Sequence, residues 1–183
     1  MHISIIIPST RPKHLALTLD AIHRQETTCS YNIIIIQESE NNHAEFGHIL
    51  YPAGCQVIRR IMAHDYGASA KDHGLRLACG DYVVFWDDDN LYHEYALQAQ
   101  YVASIGHDIG IVQTIHHGRV IPYAHHIKLG DIDTMCLCVK RELAIKEFWS
   151  DGLGRGSDYR WVSKLLRYNP SINYSDTVIG IHL

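Results

Sequence analysis

The sequence predicts an α/β domain with a mixed, mainly parallel central sheet flanked by helices. Three observations carry that expectation. Runs at residues 3–7, 31–36 and 82–86, apolar but for Ser4 and Asn32, are short, rich in β-branched and aromatic types and without sustained polar alternation, as strands covered on both faces are. Helical patterns separate these runs, which makes β-α-β units with parallel strands and right-handed crossovers. Beyond residue 106 the apolar runs are divided by tight turns, which adds antiparallel pairing.

In chain order, the first strand ends at Pro8-Ser9-Thr10, where Ser9 or Thr10 is placed to cap a helix and Pro12 suits its first turn. Leu15, Leu19 and Ile22 form that helix's apolar face. A second strand over 31–36 leads into the polar stretch 37–42, and a short third strand spans 56–61. Small residues in 67–75 predict a helix that approaches its neighbour closely, with Ala68, Leu75 and Ala78 toward the core and Gly80 as its stop. The fourth strand is 82–86. Tyr95, Leu97, Tyr101, Val102 and Ile105 suggest a helix face, followed by strands at 109–115, 120–124 and 134–139 and a helix over 140–149. Ser157 is expected to cap a last helix, after the glycine-rich loop 151–156, with Trp161, Val162, Leu165 and Leu166 inward. The tail 174–183 is half apolar.

At 183 residues one domain, 1–183, is expected, large enough to bury a core without disulfides. Sixteen Lys and Arg against 20 Asp and Glu leave a formal charge of −4, which offers no electrostatic case for nucleic acid or a membrane surface. Five scattered cysteines without a CxxC pair indicate neither a disulfide framework nor a zinc ribbon, and point to a reducing, cytoplasmic setting. The amino-terminal run lacks a basic leader and a cleavage site, and no stretch is long enough for a membrane span.

The run 82–86 stops at Asp87, Asp88 and Asp89. Alternation along an extended chain sends Asp87 and Asp89 to one side, where they are expected to converge, and Asp88 to the other. Crowded carboxylates repel unless a cation lies between them, and oxygen ligands suit magnesium or manganese. Ligands of open parallel sheets bind beyond the carboxyl ends of the strands, where these acids fall. The simpler alternative is a polar turn. The pairs His116-His117 and His125-His126 are poor joint chelators, because neighbours in a strand point opposite ways. Cys136 and Cys138 read as small core residues on one face, and Trp149 as a packing residue before an acceptor platform.

The order of these parts resembles the family 2 glycosyltransferases, whose nucleotide-sugar-binding domain is the GT-A fold. The resemblance covers nearly the whole chain. Ile3-Ser4-Ile5-Ile6-Ile7-Pro8-Ser9-Thr10-Arg11 is similar to the opening strand and nucleotide loop, and Gln37-Glu38-Ser39-Glu40 stands where the family usually has Asp-Asp-Gly-Ser. Ala70-Lys71-Asp72 stands where Ala-Arg-Asn is usual, followed by Gly74, while Gly80-Asp81-Tyr82 and Asp87-Asp88-Asp89 resemble the family's strand and DxD metal motif. Ser157-Asp158 stands for the usual Glu-Asp pair.

The resemblance implies a nucleotide-binding half at about 1–90 and an acceptor-side half at about 91–183. It implies donor contacts from Pro8, Ser9, Thr10, Arg11, Glu38, Lys71, Asp87 and Asp88, although Asp88 is the acid that a plain turn explains most readily. Asp89, with Asp87 and His182, would hold Mn2+ or Mg2+, and Asp158 would be the base of an inverting transfer. Partial desolvation would raise an acid there toward a useful range. Its alternative role is a helix N-terminal acid favourable with the dipole. The donor is expected to be a nucleotide sugar, UDP-linked by preference, with Asp131 and Asp133 near its hydroxyls. The acceptor and the homo-oligomeric state are left open. A nucleotidyltransferase and a nucleotide-sugar-binding protein without turnover are the alternative functions; the first would show a glycine-rich basic loop, and 8–12 contains no glycine.

Overall fold

The computed structural model describes residues 1–40, 43–151 and 156–183. Its core is a sheet in the order β3 (Gln56–Ile61), β2 (Ser30–Ser39), β1 (His2–Ser9), β4 (Tyr82–Phe85), β8 (Leu137–Lys140), β6 (Ile109–His116), β9 (Ile172–His182) and β5 (Asn90–Tyr92), with β7 (Arg119–Ile121) paired to β6. Strands β1 (His2–Ser9), β2 (Ser30–Ser39), β3 (Gln56–Ile61) and β4 (Tyr82–Phe85) are parallel, with Ile6 aligned to Ile34 on one side and Phe85 on the other. Helix α1 (Pro12–His23) and helix α2 (Ala68–Leu77) provide two of the crossovers.

Period-two alternation divides these strands between two cores. Ile3, Ile5, Ile7, Ile33, Ile35, Val84 and Trp86 pack with Leu15, Leu19 and Ile22 of α1 and with α3 (Ala96–Ser104). Ile6, Ile34, Ile36, Val83 and Phe85 pack on the other face with Ala68 and Leu75 of α2 and with Trp161, Val162 and Leu165 of α5 (Ser157–Leu166). That is why the runs lack polar alternation: both faces are dry. A Cβ on Gly74 would lie 2.3 Å from Ile6 Cγ2, so the small residue is what lets α2 sit against β1. Trp149 is buried, stacked on Trp161 at 3.7 Å between ring centres, with Phe85 edge-on to both.

The second half departs more from expectation. A three-residue strand, β5 (Asn90–Tyr92), follows the acids directly and pairs antiparallel with β9 (Ile172–His182). Trp86 stacks on Tyr92 at 4.0 Å, which favours that return. β6 (Ile109–His116) is central, parallel to β9 and antiparallel to β8 (Leu137–Lys140). The strand expected at 120–124 is only β7 (Arg119–Ile121), because Pro122 has no N–H for a ladder and a 3-10 turn follows. Residues 134–136 form another 3-10 turn, so Cys136 and Cys138 enter different cores and not one face. The helix expected over 140–149 is one turn, α4 (Arg141–Ala144).

On α3 the buried side is Ala96, Leu97, Gln100, Ala103 and Ser104, while Tyr95, Val102 and Ile105 are exposed. The apolar residues misled because Gln100 is held inside by Trp86 Nε1 and the Met135 carbonyl. The expected caps also differ. Arg11 and a left-handed Gly156 stand at the N-caps of α1 and α5, without side-chain capping bonds, and Ser9 spends its hydroxyl elsewhere. No helix among the described residues is long and apolar enough to cross a membrane.

Candidate functional site: an acid-rich cleft beyond three parallel strands

The loops that follow β1, β2 and β4 meet at the carboxyl edge of the parallel half. β4 ends at Phe85, so strict alternation no longer governs the three acids beyond it. Asp88 turns inward and is 3% exposed. Its Oδ2 accepts from Ser9 Oγ at 2.7 Å, the Thr10 N–H at 3.2 Å and the Arg11 N–H at 3.1 Å. Its Oδ1 accepts from Arg11 Nε and Nη2 at 3.2 and 2.6 Å. The acid assigned most readily to a plain turn thus closes the first loop onto the fourth strand. Asp89 faces the same guanidinium, 2.9 Å from Arg11 Nη2.

Asp87 points the other way, to Lys71 Nζ at 3.1 Å. Lys71 reaches this point because α2 packs so tightly on β1, and it also donates to Thr134 Oγ1 at 3.1 Å and stands 3.8 Å from Asp158 Oδ1. Burial pulls the ammonium down, but Asp87, Asp158 and Asp133 together outweigh it and hold the pKa above the usual lysine value. Burial pushes the Asp87 carboxyl up to about 6, against the pull of Lys71. Asp158 opens α5 and takes the Thr134 N–H at 3.4 Å, so Lys71 links the acid after β4 to the acid at the helix start.

At the end of β9, His182 Nδ1 lies 3.0 Å from Asp133 Oδ2. That pairing with Asp133 raises the histidine pKa, helped by the charges of Asp89 and Asp87 and opposed by burial. His116, aligned with His182 across the β6–β9 ladder, packs edge-on to it at 4.4 Å. On the far side Glu38 is 2% exposed and 3.2 Å from Arg60 Nε. Burial raises its carboxyl above the ordinary range, and Arg60 opposes the rise. Arg60 in turn bonds the carbonyl and hydroxyl of Ser69.

A cleft of about 430 Å³ gathers Pro8, Ser9, Thr10, Arg11, Glu38, the three aspartates and His182. Its rim is residues 62–67, where His64 and Tyr66 hold positive φ angles of 55° and 58°. Bulky residues seldom adopt that conformation. Lys71 and Asp158 stand behind Asp87 and do not line this cleft. Asp131 accepts from the Tyr123 N–H, away from it. Residues 41–42 and 152–155, in the polar and glycine-rich stretches singled out from sequence, lie outside the described residues.

The rim residues, Arg60 and Asp72 were not anticipated at the site. The rim residues follow no apolar periodicity, and the one signal among them was Gly67. Arg60 lies in a short strand where nothing marks it out. Asp72 accepts the Trp149 and Ser150 N–H groups at 2.8 and 3.0 Å, anchoring the chain before the glycine-rich stretch; its place beside Lys71 was the available clue.

The donor set suits a hard divalent ion. Asp87 Oδ1 is buried without a hydrogen-bond partner, and Asp89 shares the cleft with it. The site is open and not a ready-made cage: among the described residues no group of three or more His, Cys, Asp or Glu is placed to hold a metal ion.

A mixed α/β sheet flanked by helices on both faces is the GT-A arrangement, and solved structures of glycosyltransferases share this fold. S. aureus TarS 1-349 in complex with UDP superposes with a TM-score of 0.76 at 15% identity, over 99% of this chain and 60% of that one. Glucosyl-3-phosphoglycerate synthase from Mycobacterium tuberculosis, in complex with Mn2+, UDP and glucosyl-3-phosphoglycerate, gives 0.70 at 13% identity, over 100% and 72%. The mannosyltransferase PcManGT from Pyrobaculum calidifontis, in complex with GDP-Man and Mn2+, gives 0.67 at 15%, over 98% and 56%. The chain therefore spans about three fifths of the length of the TarS fragment. No curated protein sequence matches it significantly. The sequence model of Glycosyl transferase family 2 matches residues 4–144, and the chain belongs to that family.

Proposed function

We propose that this protein transfers a sugar from a nucleoside diphosphate sugar, with UDP the favoured carrier, to an acceptor hydroxyl, inverting the anomeric carbon with the help of Mn2+ or Mg2+. The observation that carries this reading is the convergence of Arg11, Glu38 and the three aspartates on one cleft beyond adjacent parallel strands. UDP is named in two of the three related structures above and GDP-mannose in the third, which supports a diphosphate donor and a preference for UDP.

Glu38, fixed by Arg60, offers a buried acceptor for the base or ribose. Asp88 holds the backbone of residues 9–11 against the cleft, so that this loop meets the donor without reorganising. Asp89 and Asp87 would hold the divalent ion, which on binding offsets charge growing on the departing diphosphate. Such ions are commonly held by one or two carboxylates plus substrate phosphates, which fits an open pair of acids. Asp158 takes the acceptor proton while the acceptor oxygen bonds the anomeric carbon and the sugar–phosphate bond breaks on the opposite face. Lys71 holds Asp87 and Asp158 in one charged chain. The described cysteines are all unpaired, which is consistent with a cytoplasmic setting.

Thermal-shift measurements with UDP and GDP, with and without Mn2+, followed by donor hydrolysis, test the reading. Manganese-dependent stabilisation by UDP is expected. Loss of that response in every nucleotide arm would remove the diphosphate site.

A further inference from the structure

We infer that Arg11 is an internal counter-cation that occupies Asp89 before the divalent ion arrives, competes with that ion, and turns toward the diphosphate when displaced. The inference rests on the glycosyltransferase reading above and adds a role for a residue that reading used only as a donor contact.

One atom, Arg11 Nη2, serves both acids, at 2.6 Å from Asp88 Oδ1 and 2.9 Å from Asp89 Oδ2. The two acids differ in what else they hold. Asp88 is buried and receives three further donors from residues 9–11 on its other oxygen, so it stays bound whatever the guanidinium does. Asp89 is 25% exposed on its side chain, and its ion pair with Arg11 is the contact that a divalent ion would replace. Asp88 therefore acts as the hinge and Asp89 as the exchangeable partner. The Arg11 side chain is 46% exposed and borders both the acid-rich cleft and a second hollow of about 700 Å³ against α1, which leaves it room to swing. A guanidinium freed from Asp89 but still tethered by Asp88 stays within the same cleft, where its fork matches phosphate oxygens. Metal entry and diphosphate capture are thereby coupled through one side chain.

The test is Mn2+ binding to the full chain, read from the loss of the free-ion electron paramagnetic resonance signal, for wild type, Arg11→Gln and Arg11→Lys. Without nucleotide, Arg11→Gln should bind Mn2+ about fivefold more tightly, the factor corresponding to about 1 kcal/mol for a partly solvated ion pair. With saturating Mn2+, the same variant should bind UDP several-fold more weakly by calorimetry. Arg11→Lys, whose single ammonium spans two carboxylates less well, should shift Mn2+ affinity in the same direction by less, and it carries the test if the glutamine variant does not fold. Mn2+ affinity unchanged or weakened in the variants, with wild type binding measurably, would overturn the counter-cation while leaving the transferase reading intact. No Mn2+ binding by any of the three proteins, with or without UDP, would overturn both.

Discussion

The two halves of the sheet are built on different rules. In β3-β2-β1-β4 every pair is parallel, and α1 and α2 cross over to pack on opposite faces. In β8-β6-β9-β5 the pairs are mostly antiparallel, the partners are distant in sequence, and β5 and β7 have three residues each. The first half supplies the acids and loops of the cleft. The second half adds His182 to the cleft, with Asp133 beside it, and places Asp158 against Lys71 behind Asp87. One half is organised by local hydrophobic pattern, the other by where long-range pairing lets the chain return.

The largest effect is expected where the second half is fastened to the first. Trp161→Ala removes a fully buried ring that stacks on Trp149 and meets Phe85, and should cost about 3–5 kcal/mol in chemical denaturation. A loss below about 1 kcal/mol would mean that the halves hold together independently of this contact.

Next in size, Asp158→Asn should lower sugar transfer about a hundredfold or more with nucleotide affinity retained, as expected for loss of a general base. Unchanged turnover would return Asp158 to the role of a helix-terminal acid and leave catalysis wholly in the first half. In the parallel half, Gly74→Ala drives a methyl group into Ile6 and should destabilise the fold by about 1–3 kcal/mol. Gly118→Ala in the β6–β7 turn has open space around it and should cost only about 1 kcal/mol, from its φ of 73°. Equal melting shifts for the two variants would contradict the difference in packing drawn here.

The smallest effect is a pH dependence. Asp108, at the entry to β6, accepts the N–H and hydroxyl of Ser171 before β9, at 3.0 and 2.9 Å, and these bonds lower its pKa. A carboxyl lowered in the folded state stabilises above its unfolded pKa, and that contribution fades as pH falls through the folded value. Asp108→Asn should therefore be slightly less stable than wild type at pH 7, by under about 1 kcal/mol for so exposed a group, and the gap should narrow below about pH 4. Urea titrations at pH 7 and pH 3 check it.

Much of the candidate site was legible because the acids of the cleft follow strands whose apolar runs are unmistakable. Pro8 to Arg11, Glu38 and the three aspartates all fell beyond the predicted strand ends, and the cleft does gather them. Their division of labour was not legible. Alternation paired Asp87 with Asp89, but the strand ends at Phe85, and the turn beyond it sends Asp87 to Lys71, Asp89 to Arg11 and Asp88 inward. Arg60 carried no signal and Asp72 only its place beside Lys71, since a charged residue in a short strand or helix is ordinarily solvated. The apolar face assigned to α3 held at Leu97 and failed at Tyr95, Val102 and Ile105, because two polar partners let Gln100 take a buried place.

By itself, the sequence determined that the chain folds around strands at 3–7, 31–36 and 82–86, with small residues under the second helix and acids after the fourth strand. These follow from local physics, because hydrophobic period, chain stiffness and side-chain size are properties of neighbouring residues. Only the tertiary structure decided that Asp88 anchors the first loop, that Arg11 stands where a cation would, and that Lys71 joins Asp87 to Asp158. Those outcomes depend on distances between segments 16 to 87 residues apart, set by packing and pairing that no local window contains.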